Sequence, residues 1–134
     1  MAWFLDTNAC IQHLRGRHPQ LSARWRQHRA KDIALPLTVY AELLVGAEKS
    51  SQPERVIEQI ELLLTAHEIV EITEEVAEHY ARIRADLERR GLVIGGNDLW
   101  IAATALAHGA TLVTNNTAEF ARIPVLALED WTLP

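Results

Sequence analysis

The sequence predicts an α/β fold, an α/β/α sandwich in which helices cover a mainly parallel sheet of four or five strands. Short, continuous apolar runs, typical of strands buried on both faces, alternate with longer segments of helical periodicity. At 134 residues the chain is long enough for one domain with its own core. Because no repeat, linker or low-complexity segment interrupts it, residues 1–134 are predicted to form a single domain.

The predicted strands are short apolar runs that end at polar or turn-forming residues. They lie at residues 3–5, 33–35, 68–72, 111–115 and 125–128. In open parallel sheets the ligand crevice lies outside the carboxyl ends of the strands. Polar residues at those ends are therefore the first candidates for a functional site.

Helix boundaries are predicted from capping residues and glycines. Thr38 and Thr73 precede apolar periodicity as N-caps do, and Ser51 opens a capping-box pattern. Gly91 and Gly109 follow the last periodic residues of two helices, where C-terminal caps stand. The pattern predicts that helices follow the strands along the chain.

Composition excludes several classes of protein. A single cysteine cannot form an internal disulfide, and no apolar run reaches the ~18 residues that a membrane span requires. The first residues also lack the basic region and cleavage site of a signal peptide. We therefore expect a protein of the reducing cytoplasm with no membrane segment.

The charge is unevenly distributed, although the formal net charge is −5. The segment between His13 and Lys31 contains no acid and carries five arginines, namely Arg15, Arg17, Arg24, Arg26 and Arg29. One interpretation is a solvated basic helix, and the other is a surface that contacts nucleic-acid phosphates. The sequence leaves both open.

Three acids are expected to meet at the carboxyl edge of the sheet. Asp6 follows the first strand, Asp98 begins the helix before the fourth, and Glu42 is the only charge in an apolar helical stretch. Each alone has a structural explanation, as a strand end, an N-terminal helix residue or an exposed helix position. Together they would repel one another, and burial would raise their pKa further. The cluster therefore implies a bound cation.

The predicted cation is Mg²⁺, for which Mn²⁺ could substitute, because the ligands are carboxylate oxygens. The histidines show no H-x-x-x-H pair, so zinc is not expected. Such an ion activates water and binds phosphate oxygens, which predicts phosphodiester hydrolysis. Asp6 and Asp98 would ligate the metal, and Glu42 would hold a coordinated water or orient the nucleophile. Thr7 and Asn8 would hydrogen-bond carboxylates or phosphate.

Four segments carry a resemblance to a known family: FLDTNACI, TVYAELLVGAEKS, GGNDLWIAATALAHGATLVTNNTAEF and VLALEDW. They resemble the PIN-domain toxins of the VapC type, the ribonuclease halves of type II toxin–antitoxin pairs. The similarity runs over essentially the whole chain. Its specificity lies in D-T-N near residue 6, E-L-x-x-G-A from residue 42 and N-D-x-x-I-A-A around residue 98, in this order and at this spacing.

The resemblance implies a Mg²⁺-dependent endoribonuclease with an α/β/α fold whose metal-binding acids are Asp6, Glu42 and Asp98. It also implies a homodimer that a VapB-like antitoxin inhibits in a larger hetero-oligomer, with DNA contacted only through the antitoxin. Enteric-type members act on the anticodon stem-loop of initiator tRNA, and others cut a ribosomal RNA loop. The favoured substrate is therefore tRNA.

One position departs from the family pattern. Many PIN domains carry a fourth acid just after the strand that here ends VTN, where this chain has Asn115 and Asn116, with Glu119 three residues beyond. An amide can orient a water or a phosphate but supplies no charge. We therefore expect Asn116 and Glu119 to support the site, and no tightly bound second metal without RNA.

Two alternative functions start from the same residues. A phosphatase with an aspartyl nucleophile, of the haloacid-dehalogenase type, would require a second Asp at the position of Asn8. A non-catalytic PIN-like module would bind RNA or protein without turnover. The first predicts a covalent aspartyl-phosphate, and the second predicts no metal-dependent cleavage.

Overall fold

The computed structural model describes all 134 residues and contains one five-stranded sheet. Its strands are β1 (Trp3–Leu5), β2 (Ile33–Pro36), β3 (Glu68–Val70), β4 (Thr111–Val113) and β5 (Leu128–Glu129). The sheet order is β3-β2-β1-β4-β5, and every neighbouring pair is parallel. The predicted α/β fold with a parallel sheet is thus confirmed.

Seven helices connect the strands, together with a 3₁₀ turn at Ala30–Asp32. They are α1 (Thr7–Leu14), α2 (Pro19–Arg26), α3 (Leu37–Glu48), α4 (Pro53–Ala66), α5 (Glu74–Arg90), α6 (Gly96–Ala107) and α7 (Thr117–Phe120). None of these helices has the length and apolar character needed to cross a membrane.

The winding of the sheet determines where a ligand can bind. The chain proceeds from β1 outward through β2 to β3, and then returns to place β4 on the other side of β1. Crossovers of this kind are right-handed, so the reversal covers both faces of the sheet with helices. Neighbouring strands β1 and β4 flank the reversal, and a crevice opens beyond their carboxyl ends. The hydrophobic core lies along the same central strands, since Leu5 of β1, Leu35 of β2 and Leu112 of β4 are fully buried.

Some predicted boundaries are confirmed. The hydroxyl of Thr73 accepts from the backbone N–H of Val76 at 3.3 Å and caps α5. At the other end of α5, Gly91 has a φ of +68°, the left-handed conformation that favours glycine. Gly109, with a φ of +60°, likewise follows α6.

Other predicted boundaries are wrong. Helix α3 already includes Thr38 and begins at Leu37. The capping box at Ser51 does not form, because α4 starts after Gln52 and the neighbouring Ser50 hydroxyl accepts from the Gln52 N–H at 3.0 Å.

Four strands also differ from their predicted bounds. Strand β2 extends one residue further, to Pro36, and strand β4 ends two residues earlier, at Val113. Strand β3 is shorter than predicted and ends at Val70. Strand β5 begins at Leu128, three residues later than predicted, because the preceding chain turns with Leu126 N–H bonded to the carbonyl of Ile123 at 3.1 Å.

A buried aromatic stack holds α2 against the rest of the domain. Trp25 is 4% exposed, and its indole Nε1–H donates to Nε2 of His67 at 3.1 Å. The Nδ1 of His67 lies 2.9 Å from the carbonyl of Ala30, so His67 carries its proton on Nδ1. His13 of α1 stacks on the other side of the indole, with ring centroids 4.0 Å apart. The stack therefore links α1, α2 and the start of β3.

The two ends of the chain meet beside β1 and α2. The indole Nε1–H of Trp3 donates to Oε2 of Glu129 at 3.2 Å, and Trp131 stacks on His28 with centroids 4.6 Å apart. Arg24 of α2 donates to the backbone carbonyl of Asp130 at 3.1 Å. The last residues are thus packed against the first strand and α2.

The hydrogen bond between Trp25 and His67 can be tested with a double-mutant cycle. Trp25→Phe and His67→Phe should each lower the free energy of unfolding by about 2 kcal/mol, since each leaves a buried polar atom unpaired. The double variant should lose about 1 kcal/mol less than the two single losses added together. Urea denaturation measures all four proteins, and additive losses would show that this bond contributes nothing.

Candidate active site at the carboxyl edge of the sheet

Asp6 lies at the centre of this edge, immediately after β1. It is the N-cap of α1 and is only 6% exposed, and its Oδ1 accepts from the backbone N–H of Ala9 at 2.9 Å. The parallel register pairs Leu5 with Val113, which brings the residue after β4, Thr114, beside Asp6. The Thr114 side chain is close enough to the Asp6 carboxylate to lower its pKa.

Glu42 reaches the same edge from α3. Its Oε1 accepts from the hydroxyl of Thr7 at 2.7 Å, which joins α3 to the first turn of α1. The side chain is half-buried within a helix that is otherwise largely apolar. Glu42 therefore has a fixed orientation next to Asp6 without a cationic side chain bonded to it.

Asp98 and Glu119 form a carboxyl pair on the other side of the cleft. Asp98 lies in the first turn of α6, and Glu119 belongs to the short helix α7. The carboxylate of Glu119 accepts from the side-chain amide of Asn116 at 2.7 Å and from the backbone N–H of Gly95 at 3.4 Å. The two carboxyls are close enough for the pKa of each to depend on the other.

The electrostatics of the cleft show excess negative charge. Burial raises the pKa of Asp6, and the nearby charge of Glu42 adds to this against the bonds from Thr114 and Ala9. Burial, the charge of Glu119 and the hydrogen bond with it raise the pKa of Asp98 to about 6. The pKa of Glu119 is lowered: burial opposes this, but the hydrogen bonds from Asn116, Gly95 and Asp98 outweigh it. Of the two carboxyls, Asp98 is therefore the more readily protonated.

The cleft between these acids has a volume of about 340 Å³. Eight residues line it. Six of them were predicted from the sequence, namely Asp6, Thr7, Asn8, Glu42, Asp98 and Asn116, and the other two are Asn115 and Phe120. The amide of Asn8 donates to Oδ1 of Asn115 at 3.2 Å. The structure thus brings the predicted site residues together at one edge, with Glu119 directly behind Asp98.

The donor set of the cleft fits a hard divalent cation. It offers carboxylate, amide and hydroxyl oxygens, and neither His nor Cys lines it. None of the groups that shift the pKa of Asp6 or Asp98 is cationic. No three His, Cys, Asp or Glu side chains are close enough to enclose an ion by themselves. This open arrangement suits Mg²⁺, which keeps several waters and takes one or two carboxylates.

Thr114 is a site residue that sequence reasoning missed. It is 1% exposed, and besides contacting Asp6 its hydroxyl accepts from the backbone N–H of Asn116 at 2.9 Å. The available signal was its position as a polar residue at the carboxyl end of a strand that pairs with β1. Thr114 lowers the pKa of Asp6 and shapes the turn that carries Asn116.

The basic segment does not form one surface. It spans the end of α1, α2 and the 3₁₀ turn, which separates its arginines. Arg24 is bound to the C-terminal backbone and lies 4.0 Å from Glu129, and Arg29 pairs with Asp32 at 3.0 Å. Arg26 is exposed on α2, whereas Arg15 and Arg17 line a concavity. That these arginines bind RNA stays a prediction.

Comparison with known proteins identifies the family. Residues 3–126 match the PIN domain. The chain is 41% identical over 133 residues to "Ribonuclease VapC2" of Rickettsia felis, covering 98% of each chain. It is 35% identical over 131 residues to "tRNA(fMet)-specific endonuclease VapC" of Salmonella typhimurium, again covering 98% of each.

Solved structures agree with the sequence matches. The chain superposes on VapBC2 from Rickettsia felis, bound to a promoter DNA fragment, with a TM-score of 0.91 and 38% identity over 98% of this chain and 99% of that one. It superposes on DNA-bound VapBC from Salmonella typhimurium with a TM-score of 0.92 and 34% identity over 98% of each chain. The resemblance found in the sequence is thereby confirmed, and the chain belongs to the PIN domain family and, within it, to the VapC ribonucleases.

Proposed function

We propose that this chain is the toxin of a type II toxin–antitoxin pair and a Mg²⁺-dependent endoribonuclease. The observation that carries the proposal is the convergence of Asp6, Glu42 and Asp98 on one open cleft, with no cationic group among those that shift the pKa of Asp6 or Asp98. Carboxylates that are kept close in a folded protein need a positive charge to neutralise them. A divalent ion supplies that charge and binds the phosphate of a nucleic acid.

Asp6 and Asp98 are the proposed metal ligands, because they face each other across the cleft from the ends of β1 and α6. Glu42 completes the set directly or through a water. When bound, Mg²⁺ or Mn²⁺ polarises phosphate oxygens and lowers the pKa of a coordinated water. Thr7 keeps Glu42 oriented through the bond of 2.7 Å.

Glu119 takes a larger role in this proposal than its position in the sequence indicated. Its charge raises the pKa of Asp98 while its own pKa is lowered, so Glu119 is the more acidic carboxyl of the pair and lies beside the proposed ligand. Asn116 and Gly95 hold both oxygens of its carboxylate. Glu119 therefore stands in for the acid that many PIN domains carry after the fourth strand, although it comes from α7.

The proposed substrate is structured RNA, and we favour the anticodon stem-loop of initiator tRNA. The support is the relative from Salmonella typhimurium, which is named a tRNA(fMet)-specific endonuclease and is 35% identical over 98% of both chains. The cleft is open and lies at the surface, as a site for a folded polynucleotide must.

The proposed protein partner is a VapB-like antitoxin, because the solved relatives are VapBC complexes. Two of these complexes hold DNA, and we assign DNA contact to the antitoxin. A homodimer, enlarged by antitoxin, is also proposed. Exposed apolar side chains on α3, Leu37 and Val45, support an interface there. The proposed compartment is the cytoplasm.

The alternatives meet specific difficulties in the cleft. An aspartyl-nucleophile phosphatase would require a second acid at residue 8, where the amide of Asn8 donates to Asn115. A non-catalytic module has no use for clustered carboxylates, whose mutual repulsion destabilises the folded protein. Absence of a covalent aspartyl-phosphate and presence of metal-dependent turnover separate the proposed function from both.

RNA cleavage is the direct test of the proposed function. Antitoxin-free protein is incubated with total bacterial tRNA and ribosomal RNA in Mg²⁺ or in EDTA, and fragment ends are mapped. Discrete fragments should require Mg²⁺, and Asp98→Asn should reduce the rate by about a hundredfold or more, since a metal ligand contributes several kcal/mol. Glu61→Gln, an exposed acid of α4, is the matched control. Folded protein that cleaves neither RNA would favour the non-catalytic module.

Metal binding is tested separately through thermal stability. If Mg²⁺ binds only the folded cleft, a concentration of about ten times the Kd should stabilise the protein by about 1.4 kcal/mol. Differential scanning fluorimetry should show this shift for the wild type and Glu61→Gln and its loss in Asp98→Asn. A shift that survives Asp98→Asn would place the ion elsewhere.

The carboxyl pair also predicts a pH dependence of the metal-free protein. A carboxyl whose pKa rises to about 6 on folding destabilises the folded state above pH 6, and this cost disappears as the pH falls towards its unfolded pKa near 4. Two pKa units correspond to about 3 kcal/mol at most, and solvent screening reduces this to about 1 kcal/mol.

Asp98→Asn should therefore raise the Tm at pH 7.5 by about 3 °C in EDTA and have little effect near pH 4. The measurement is a series of thermal melts across this pH range. A lower Tm for the Asn variant at pH 7.5 would show instead that Asp98 stabilises the N-terminus of α6 as a helix-terminal charge.

A further inference from the structure

Two adjoining concavities lead away from the catalytic cleft between α1, α3 and α4. The inner one, of about 320 Å³, begins at Glu42 and has apolar walls that include Ile11, Leu14, Leu43, Val56 and Ile60. The outer one, of about 660 Å³, is lined mainly by polar side chains. Arg15 and Gln59 line both, so they form one surface. We name it the basic trough after its cations, Arg15, Arg17, Lys49 and Arg55.

The cations of the basic trough have no acidic partners. Five of the 13 Lys and Arg side chains form ion pairs in this structure, and all five lie elsewhere. Four of the remaining eight line the basic trough. Arg55 donates only to the neutral amide of Gln52, at 3.4 Å. In a chain of net charge −5, such a concentration of unneutralised cations indicates an anionic ligand.

Acids are absent from the lining apart from Glu42 at its inner end. The acids of α4, which are exposed, do not reach either concavity, and these are Glu54, Glu58 and Glu61. The trough is therefore acidic at the catalytic cleft, combines apolar walls with Arg15 and Lys49 in the inner concavity, and is polar and basic in the outer one.

We propose that the basic trough binds the RNA strand on one side of the scissile phosphate, an inference that rests on the proposed ribonuclease function. The apolar walls of the inner concavity contact a base next to the cut, and the cations along both concavities contact the neighbouring phosphates. Phosphate contacts of this kind position a nucleic acid without reading its sequence. Lys49 and Arg55, which lie outside the basic segment seen in the sequence, thus become RNA-binding residues, and Arg24 and Arg29 do not.

Continuity with the cleft favours RNA over an acidic polypeptide as the occupant. If a divalent ion bound by Asp6 and Asp98 held the scissile phosphate there, the adjacent nucleotides would have to leave along a surface that tolerates their charge. The inner concavity shares Glu42 with the cleft, so the trough starts where that strand emerges. A polypeptide has no such requirement to begin at the catalytic carboxylates.

The test compares two triple variants with the same change in charge, both carrying Asp98→Asn to prevent cleavage. The trough variant is Arg17→Gln, Lys49→Gln and Arg55→Gln, and the control is Lys31→Gln, Arg82→Gln and Arg89→Gln. All six side chains are exposed, and the control positions lie outside both concavities. The probe is a fluorescein-labelled anticodon stem-loop of initiator tRNA, measured by anisotropy over a salt titration.

The trough variant should bind the RNA at least about tenfold more weakly at about 0.1 M salt, and its slope of log K against log salt should fall by about 2. The control should stay within about twofold of the Asp98→Asn parent. Equal losses in the two variants would overturn the proposal, because the effect would then be general electrostatics. The proposal would also be overturned if poly-glutamate displaced the labelled RNA as strongly as unlabelled RNA does. That result would favour an acidic polypeptide as the occupant of the trough.

Cleavage kinetics distinguish failure of this inference from failure of the proposed function. With Asp98 intact, the trough substitutions should raise KM for RNA at least about tenfold and change kcat by less than about threefold. A wild-type enzyme that cleaves RNA, together with an unchanged KM in the trough variant, would overturn the trough alone. A wild-type protein that cleaves no RNA would overturn the ribonuclease function, whatever the binding titration shows.

Discussion

Parallel pairing of β1 with β4 at the centre of the sheet is the constraint on which the site depends. It brings two strand ends together where the winding reverses, and the residues just beyond them, Asp6 and Thr114, then contact each other. The helices that start at this edge add Glu42 and Asp98 from the two sides. Four distant parts of the chain therefore form one cleft, and each acid lies in a helix or borders a strand.

The same packing makes the cleft electrostatically unfavourable in isolation. Burial of Asp6 and the proximity of Asp98 to Glu119 oppose ionisation, and hydrogen bonds from Thr114, Ala9 and other groups offset only part of that cost. The apolar core beneath the sheet supplies the stability that tolerates it. Preorganised carboxylates are useful at a site that gathers a cation and a phosphate, because no rearrangement is then needed when they arrive.

The sequence predicted the parts of this arrangement that depend on local pattern. Asp6 could be predicted because an apolar run marks the strand that it follows, and Asp98 because a glycine turn marks the start of its helix. The importance of Glu119 could not be predicted, since its distance from Asp98 depends on how α7 turns after β4. Which arginines form ion pairs could not be predicted either. This depends on acids that are remote in sequence, as Glu129 is from Arg24.

The contacts between the two ends of the chain bear on how the protein emerges from the ribosome. The central strand β1 is synthesised long before its neighbour β4 and before the residues that pack against Trp3 and His28. The middle of the sheet can therefore close only after β4 has left the exit tunnel. Until then β1 is without one of its two parallel neighbours, and the cleft is without the residues that follow β4.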